Sequence, residues 1–148
     1  MSSLPASSPS STFPSISIPD LARQDALRAL HEDTGSGDLT AALVPADARA
    51  RARVLLREDA TLCGAPWVEA VIGRLDPKAS IRWLRGEGER CKAGDVVLEL
   101  QGQAQALLTA ERTALNFLQL LSAVATRTAQ YVQAVQGTRA RIVDTRKT

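Results

Sequence analysis

Arg146 and Lys147, preceded by Asp144 and Thr145, place two cations directly after the apolar pair Ile142-Val143. A guanidinium offers a planar fork matched to a carboxylate, and an ammonium a compact charge, so this grouping suits an anionic ligand. Parallel α/β sheets and barrels bind ligands at the carboxyl ends of their strands, where these residues fall if Ile142-Val143 begin a parallel sheet. The same spacing also fits a solvated basic segment. Arg112 is the second candidate. It follows Glu111 at the start of a long apolar helix that the sequence begins near Thr109. Helix N-termini favour anionic side chains, so Glu111 suits that place and Arg112 does not. Arg112 either meets an anion there, helped by free helix amides, or pairs with Glu111 or another carboxylate nearby.

Other groupings carry less chemistry. Glu32-Asp33, Gly35, Gly37-Asp38 and Thr40 mix acids with glycines, but without the spacing or terminal bidentate Glu of a calcium loop. Capping and turn formation account for them. His31 is read as a helix C-terminal residue favoured by the dipole, not as a base. Cys63 and Cys91 form no CxxC pair and lie far from the lone His31, which makes a zinc site improbable and a reduced, cytoplasmic state the default. The unit Gly88 to Gly102 resembles the hammerhead pieces of lipoyl and biotinyl carriers. Those carriers display a lysine at a hairpin tip, and Lys92 lacks the flanking pattern.

The elements that must position these residues follow from periodicity. Residues 1–19 include a Ser- and Pro-rich stretch almost free of charge, read as a disordered tail. Asp20 is a candidate N-cap for a helix to about His31, with Leu21, Leu27 and Leu30 on one side. From Ala48 to Leu56 a period of two places Arg49, Arg51 and Arg53 on one face of a strand and Ala50, Ala52, Val54 and Leu56 on the other. The arginine stripe reads as a solvated or interface face. Trp67, Val68, Val71, Ile72 and Leu75 recur at helical spacing up to Asp76-Pro77. Ser80 to Arg85, Val96 to Leu100 and Ala104 to Leu108 are expected to be strands, the last two flanking Gly102. The helix from Thr109 is apolar almost all round between Ala114 and Ala125, which predicts burial. Unbroken to Gln136 this helix would exceed the usual globular length, so a bend or break is expected near Ser122 to Thr126, with Gly137 at the C′ position.

Composition narrows the classes. The chain of 148 residues is 45% hydrophobic and 23% charged, enough for a core of Leu, Val and Ala. Aromatic residues make up only 3%, which disfavours a base-stacking surface, and a formal charge of +2 does not by itself imply a polyanion. The expected partners therefore include no nucleic acid and no membrane. No apolar run approaches a membrane span, and the N-terminus lacks the pattern of a secretory signal or a mitochondrial presequence.

Taken together, EDTGSGDLT (32–40), GERCKAGDVVLELQG (88–102), LLTAERTALNFLQLLSAVAT (107–126) and RIVDTRKT (141–148) resemble quinolinate phosphoribosyltransferase, the nicotinate-nucleotide pyrophosphorylase (carboxylating) family. The resemblance implies an α+β class: an open antiparallel sheet with helices over 20–137, then the first strand of a truncated α/β barrel in 138–148. It implies transfer of phosphoribose from phosphoribosyl pyrophosphate to quinolinate with magnesium (Mg2+), release of pyrophosphate and carbon dioxide, and a homodimer sharing its active sites. The arginine matching Arg112 would reach quinolinate across the dimer interface. The residues matching Thr145, Arg146 and Lys147 would hold substrate carboxylates at the barrel end. Gln105 departs from the family's usual arginine, which would remove an ion pair. The expectation is of a fragment inactive alone, with magnesium ligands outside it. A non-catalytic dimerisation or regulatory module and a lipoyl-like carrier are the alternatives.

Overall fold

The computed structural model describes residues 17–35 and 41–144, the side chain of Ala42 excepted. Most of the Ser/Pro-rich tail, Gly37, Asp38 and Thr40, and the candidates Thr145, Arg146 and Lys147 lie outside the described residues.

Helix α1 spans Ile18–Thr34, and its N-cap is Ser17, not Asp20. Ser17 Oγ accepts from the Asp20 backbone N–H, while the Asp20 carboxylate accepts from the Ser17 hydroxyl and from Arg23. Pro19 suits the first turn because a helix start has no use for its missing N–H. An acid three residues after a serine thus marks the cap one turn earlier than the Asp alone suggests. A 3-10 turn, Ala41–Leu43, leads to strand β1, Arg49–Leu55.

Three strands form the main sheet in the order β1-β5-β3, with β3 at Ser80–Trp83 and β5 at Val96–Gln103, all antiparallel. The register sets Val54 opposite Leu98 and Ile81 opposite Leu100 on the inner face. Arg51 and Arg53 lie opposite Gln101 and Glu99 on the outer face. The alternation read from β1 is therefore observed. A second small sheet pairs β2, Ala60–Thr61, with β4, Arg90–Cys91. Because β4 pairs with β2 and not with β5, Lys92 does not stand at a hairpin tip; its ammonium meets Asp59 at 2.7 Å.

Helix α2, Ala65–Leu75, starts at Gly64, which has φ 115° and no side chain to cap with. The Glu87 carboxylate supplies the cap from another loop, accepting from Gly64 N at 2.8 Å and Ala65 N at 3.1 Å. An added Cβ at Gly64 would stand 3.2 Å from Leu121 Cδ1, so the glycine also permits close approach of the next helix.

That helix, α3, runs unbroken over Ala104–Ala134. Two expectations are corrected here. Ala104 to Leu108 is helix rather than strand, since Ala, Gln and Leu are good helix formers with no β-branching. The junction is also held in place: buried Asp76 accepts from Gln103 N at 2.8 Å, and Ala104 N donates to Ala48 O at 2.8 Å. Nor is there a break at Ser122 to Thr126. Their hydroxyls turn outward to the β2 segment: Ser122 Oγ accepts from Cys63 N and donates to Cys63 O, each at 3.0 Å, and Thr126 Oγ1 accepts from Thr61 N at 2.8 Å. Residues four apart share one helix face, so both dock the same segment without disturbing the helix.

The core lies between the sheet's inner face, α2 and one stripe of α3, with Leu62, Val68, Val71, Val97 and Leu98 at its centre. Ala104, Leu107, Ala110, Ala114 and Leu118 form that stripe. Burial all round does not follow: Leu120 and Val124 are exposed, because only one side of α3 meets the sheet and α2. Trp67 joins the layers, its indole N–H donating to Asp25 Oδ2 at 3.0 Å and its ring 6.5 Å from that of Phe117. Ile142 and Val143, where the barrel's first strand is expected, are exposed and belong to neither sheet of the described residues.

Candidate functional site

Arg112 sits in the third turn of α3 because the helix begins at Ala104, five residues before the expected start. Free amides and the positive end of the helix dipole are thus out of its reach, and so is Glu111's expected place in the first turn. Its actual partner is Asp33 in the last turn of α1: Nη1 donates to Asp33 Oδ1 at 3.1 Å. Of the two sequence readings, the ion pair with a neighbouring carboxylate holds in this structure, and the carboxylate comes from 79 positions away. Thr113 Oγ1 donates to the other oxygen, Oδ2, at 3.1 Å.

Asp33 and Thr113 are the residues that sequence reasoning passed over. The sequence reading ends the helix at about His31 and leaves Asp33 in the turn that follows; the structure carries α1 to Thr34, which puts the acid in the last turn, where it opposes the dipole and calls for a cation or donor. Nearby, Gln105 Nε2 donates to Val44 O at 2.6 Å, fastening α3 to the chain that follows the 3-10 turn. A neutral amide therefore does structural duty at the position where the resemblance leads one to expect an arginine.

The arginine stripe of β1 forms a second cationic surface. Arg51 and Arg53 are exposed and make no ion pair among the described residues, whereas Arg82 on β3 pairs with Glu99 on the same face. Arg49 lies near Asp76, and its charge adds to the backbone donors, Gln103 N first, that hold the Asp76 carboxyl below its ordinary range. This surface is carried by β1, and Arg112 by α3. Among the described residues no three His, Cys, Asp or Glu side chains converge to hold a metal ion, and the magnesium implied by the resemblance finds no ligand set there. Neither cysteine is activated. Burial and the Glu87 carboxylate push the Cys63 thiol up to about 11, and burial raises Cys91 as well. No described helix is long and apolar enough to cross a membrane.

Comparison with known proteins agrees with this architecture. The family model for the quinolinate phosphoribosyl transferase N-terminal domain matches residues 38–122. The probable nicotinate-nucleotide pyrophosphorylase (carboxylating) of Synechocystis sp. is 40% identical over 119 residues, which are 80% of this chain and 40% of that protein. The nicotinate-nucleotide pyrophosphorylase (carboxylating) of Mycobacterium leprae is 40% identical over 133 residues, 87% of this chain and 47% of that protein. The solved nicotinate-nucleotide pyrophosphorylase of Francisella tularensis superposes with a TM-score of 0.85 at 36% identity, over 90% of this chain and 47% of that one. The chain spans less than half the length of each of these relatives. With the sheet, α2 and most of α3 inside the matched region, the chain belongs to the quinolinate phosphoribosyl transferase N-terminal domain family.

Proposed function

We propose that this domain serves a phosphoribosyltransferase of NAD biosynthesis that converts quinolinate and phosphoribosyl pyrophosphate to nicotinate mononucleotide, pyrophosphate and carbon dioxide. The observation that carries the reading is the family match across residues 38–122, which contains Arg112. Quinolinate is a dianion, so its recognition needs several cations able to form charge-assisted hydrogen bonds. Arg112 supplies one from a side chain 77% exposed, as a contact to a ligand held elsewhere requires. In this reading the protein works in the cytoplasm as a homodimer, with Arg112 reaching substrate bound in the partner subunit. Thr145, Arg146 and Lys147 hold the carboxylates in the chain's own half of the site. Cations there would also favour the ring carbanion left as the carboxylate departs as carbon dioxide. Magnesium accompanies the pyrophosphate-bearing substrate, with ligands from outside the described residues.

The test uses this chain joined to the part of the Mycobacterium leprae relative that it does not match. Quinolinate-dependent pyrophosphate release is expected. Arg112→Ala is expected to raise the quinolinate KM roughly 10- to 150-fold, the range for losing a charged hydrogen-bond partner, with unchanged circular dichroism. An unchanged quinolinate KM would contradict the assignment.

A further inference from the structure

The last turn of α1 is an unfavourable place for Asp33, since the helix carbonyls already concentrate negative charge there. Its carboxylate nonetheless spans two consecutive residues of α3, Arg112 through Oδ1 and Thr113 through Oδ2. Consecutive helical residues diverge by about 100° around the axis, so one carboxylate engages both only by sitting over the groove between them. Exposure rises along the chain of contacts: Thr113 is 4% exposed, the Asp33 side chain 20% and the Arg112 side chain 77%. A buried hydroxyl thus orients the carboxylate, and the carboxylate orients an exposed guanidinium. The Arg112 end of the pair is exposed and contributes little to fold stability, so the largely buried Thr113–Asp33 bond is where the carboxylate is fixed.

We infer that Asp33 is a positioning residue for Arg112, with Thr113 as its anchor. Asp33 occupies Nη1 and leaves Nε and Nη2, which no described residue engages, free to grip a substrate carboxylate in bidentate fashion. It also neutralises the guanidinium, which lowers the cost of covering that charge when substrate and partner close over it. This inference rests on the proposed role of Arg112 in binding quinolinate.

In the joined protein described above, Asp33→Asn is expected to raise the quinolinate KM roughly 3- to 10-fold, while kcat and the KM for phosphoribosyl pyrophosphate stay within about twofold. Thr113→Val is expected to move the same constant in the same direction. In an Arg112→Ala background Asp33→Asn is expected to add nothing, as for two residues acting through one contact. In the 148-residue chain itself, the Arg112 Nε–H resonance is expected to broaden and exchange faster in Asp33→Asn. A normal KM for Asp33→Asn beside a raised KM for Arg112→Ala would overturn the inference and leave the proposed function standing. So would an Asp33→Asn effect that persists undiminished without Arg112. A normal KM for Arg112→Ala would remove both.

Discussion

Ser122→Ala removes a hydroxyl that answers both backbone groups of Cys63, accepting from its N–H and donating to its carbonyl at 3.0 Å each. Ser122 is 7% exposed, so water does not readily replace the hydroxyl. A neutral hydrogen bond contributes about 0.5–1.5 kcal/mol net, and a buried group left unpaired costs about 1–3 kcal/mol. Cys63 is only half-buried, which lets water relieve part of that cost, and alanine's better helix propensity returns a few tenths of a kcal/mol. The expected net loss is about 1–2.5 kcal/mol, or roughly 3–8 °C in Tm for a domain of this size. Urea denaturation read by circular dichroism measures the free energy, and native-state hydrogen exchange at the Cys63 amide locates it. Thr128→Ala is the control: among the described residues the Thr128 hydroxyl bonds only Val124 O of its own helix, on the exposed side, so its removal should cost nothing. A Ser122→Ala loss below about 0.5 kcal/mol, with Cys63 exchange unchanged, would refute the claim that this hydroxyl docks the β2 segment onto α3.

Gly102→Ala would place a Cβ 2.7 Å from Asp76 Oδ2 and 3.2 Å from Ala79 Cβ, displacing the carboxylate that holds the β5–α3 junction. Calorimetry should show a loss of about 1–3 kcal/mol, the usual cost of overpacking. Asp25, Asp59 and Asp76 are all held below the ordinary carboxylate value of 3.8, by the Trp67 indole, the Lys92 ammonium and the Gln103 amide respectively. A carboxyl depressed on folding stabilises the fold above its unfolded pKa, and that stability is lost as pH falls through the folded one. Stability should therefore be flat with respect to these groups above about pH 5 and decline below about pH 4, less steeply in Asp76→Asn; an equal slope in that variant would contradict the assignment. With its thiol raised from 9.0 to about 11, Cys63 should react with iodoacetamide at pH 8 on the order of 100-fold more slowly than an unhindered cysteine, as followed by mass spectrometry of the intact protein.

Local rules made part of the fold legible from residue types alone. The alternation from Arg49 to Val54 sets the arginines on one face and turns Ala50 and Val54 to the core on the other, with Ala52 between them exposed, because a strand fixes side-chain direction residue by residue. The helix around Trp67 to Leu75 ends at Asp76, where the following proline disfavours continuation. The resemblance named the family, and the matched region bears it out. Ala104 to Leu108 differs from its expected strand because so short an apolar run does not distinguish strand from helix, and the contact that ends β5 comes from Asp76.

The site divides along the same line. Sequence alone singled out Arg112 as a cation in an apolar helix, and chemistry alone said that such a charge meets an anion. Which anion it meets within the fold was decided by tertiary structure, since Asp33 lies 79 positions away and reaches Arg112 only where the end of α1 packs on α3. Likewise helix length alone suggests a bend or break near Ser122 to Thr126, whereas the backbone of residues 61–63 supplies partners for both hydroxyls along an unbroken helix. Periodicity and propensity act along the chain and can be read from it. Hydrogen-bond partners brought together by packing depend on which elements meet, and only the folded molecule specifies that.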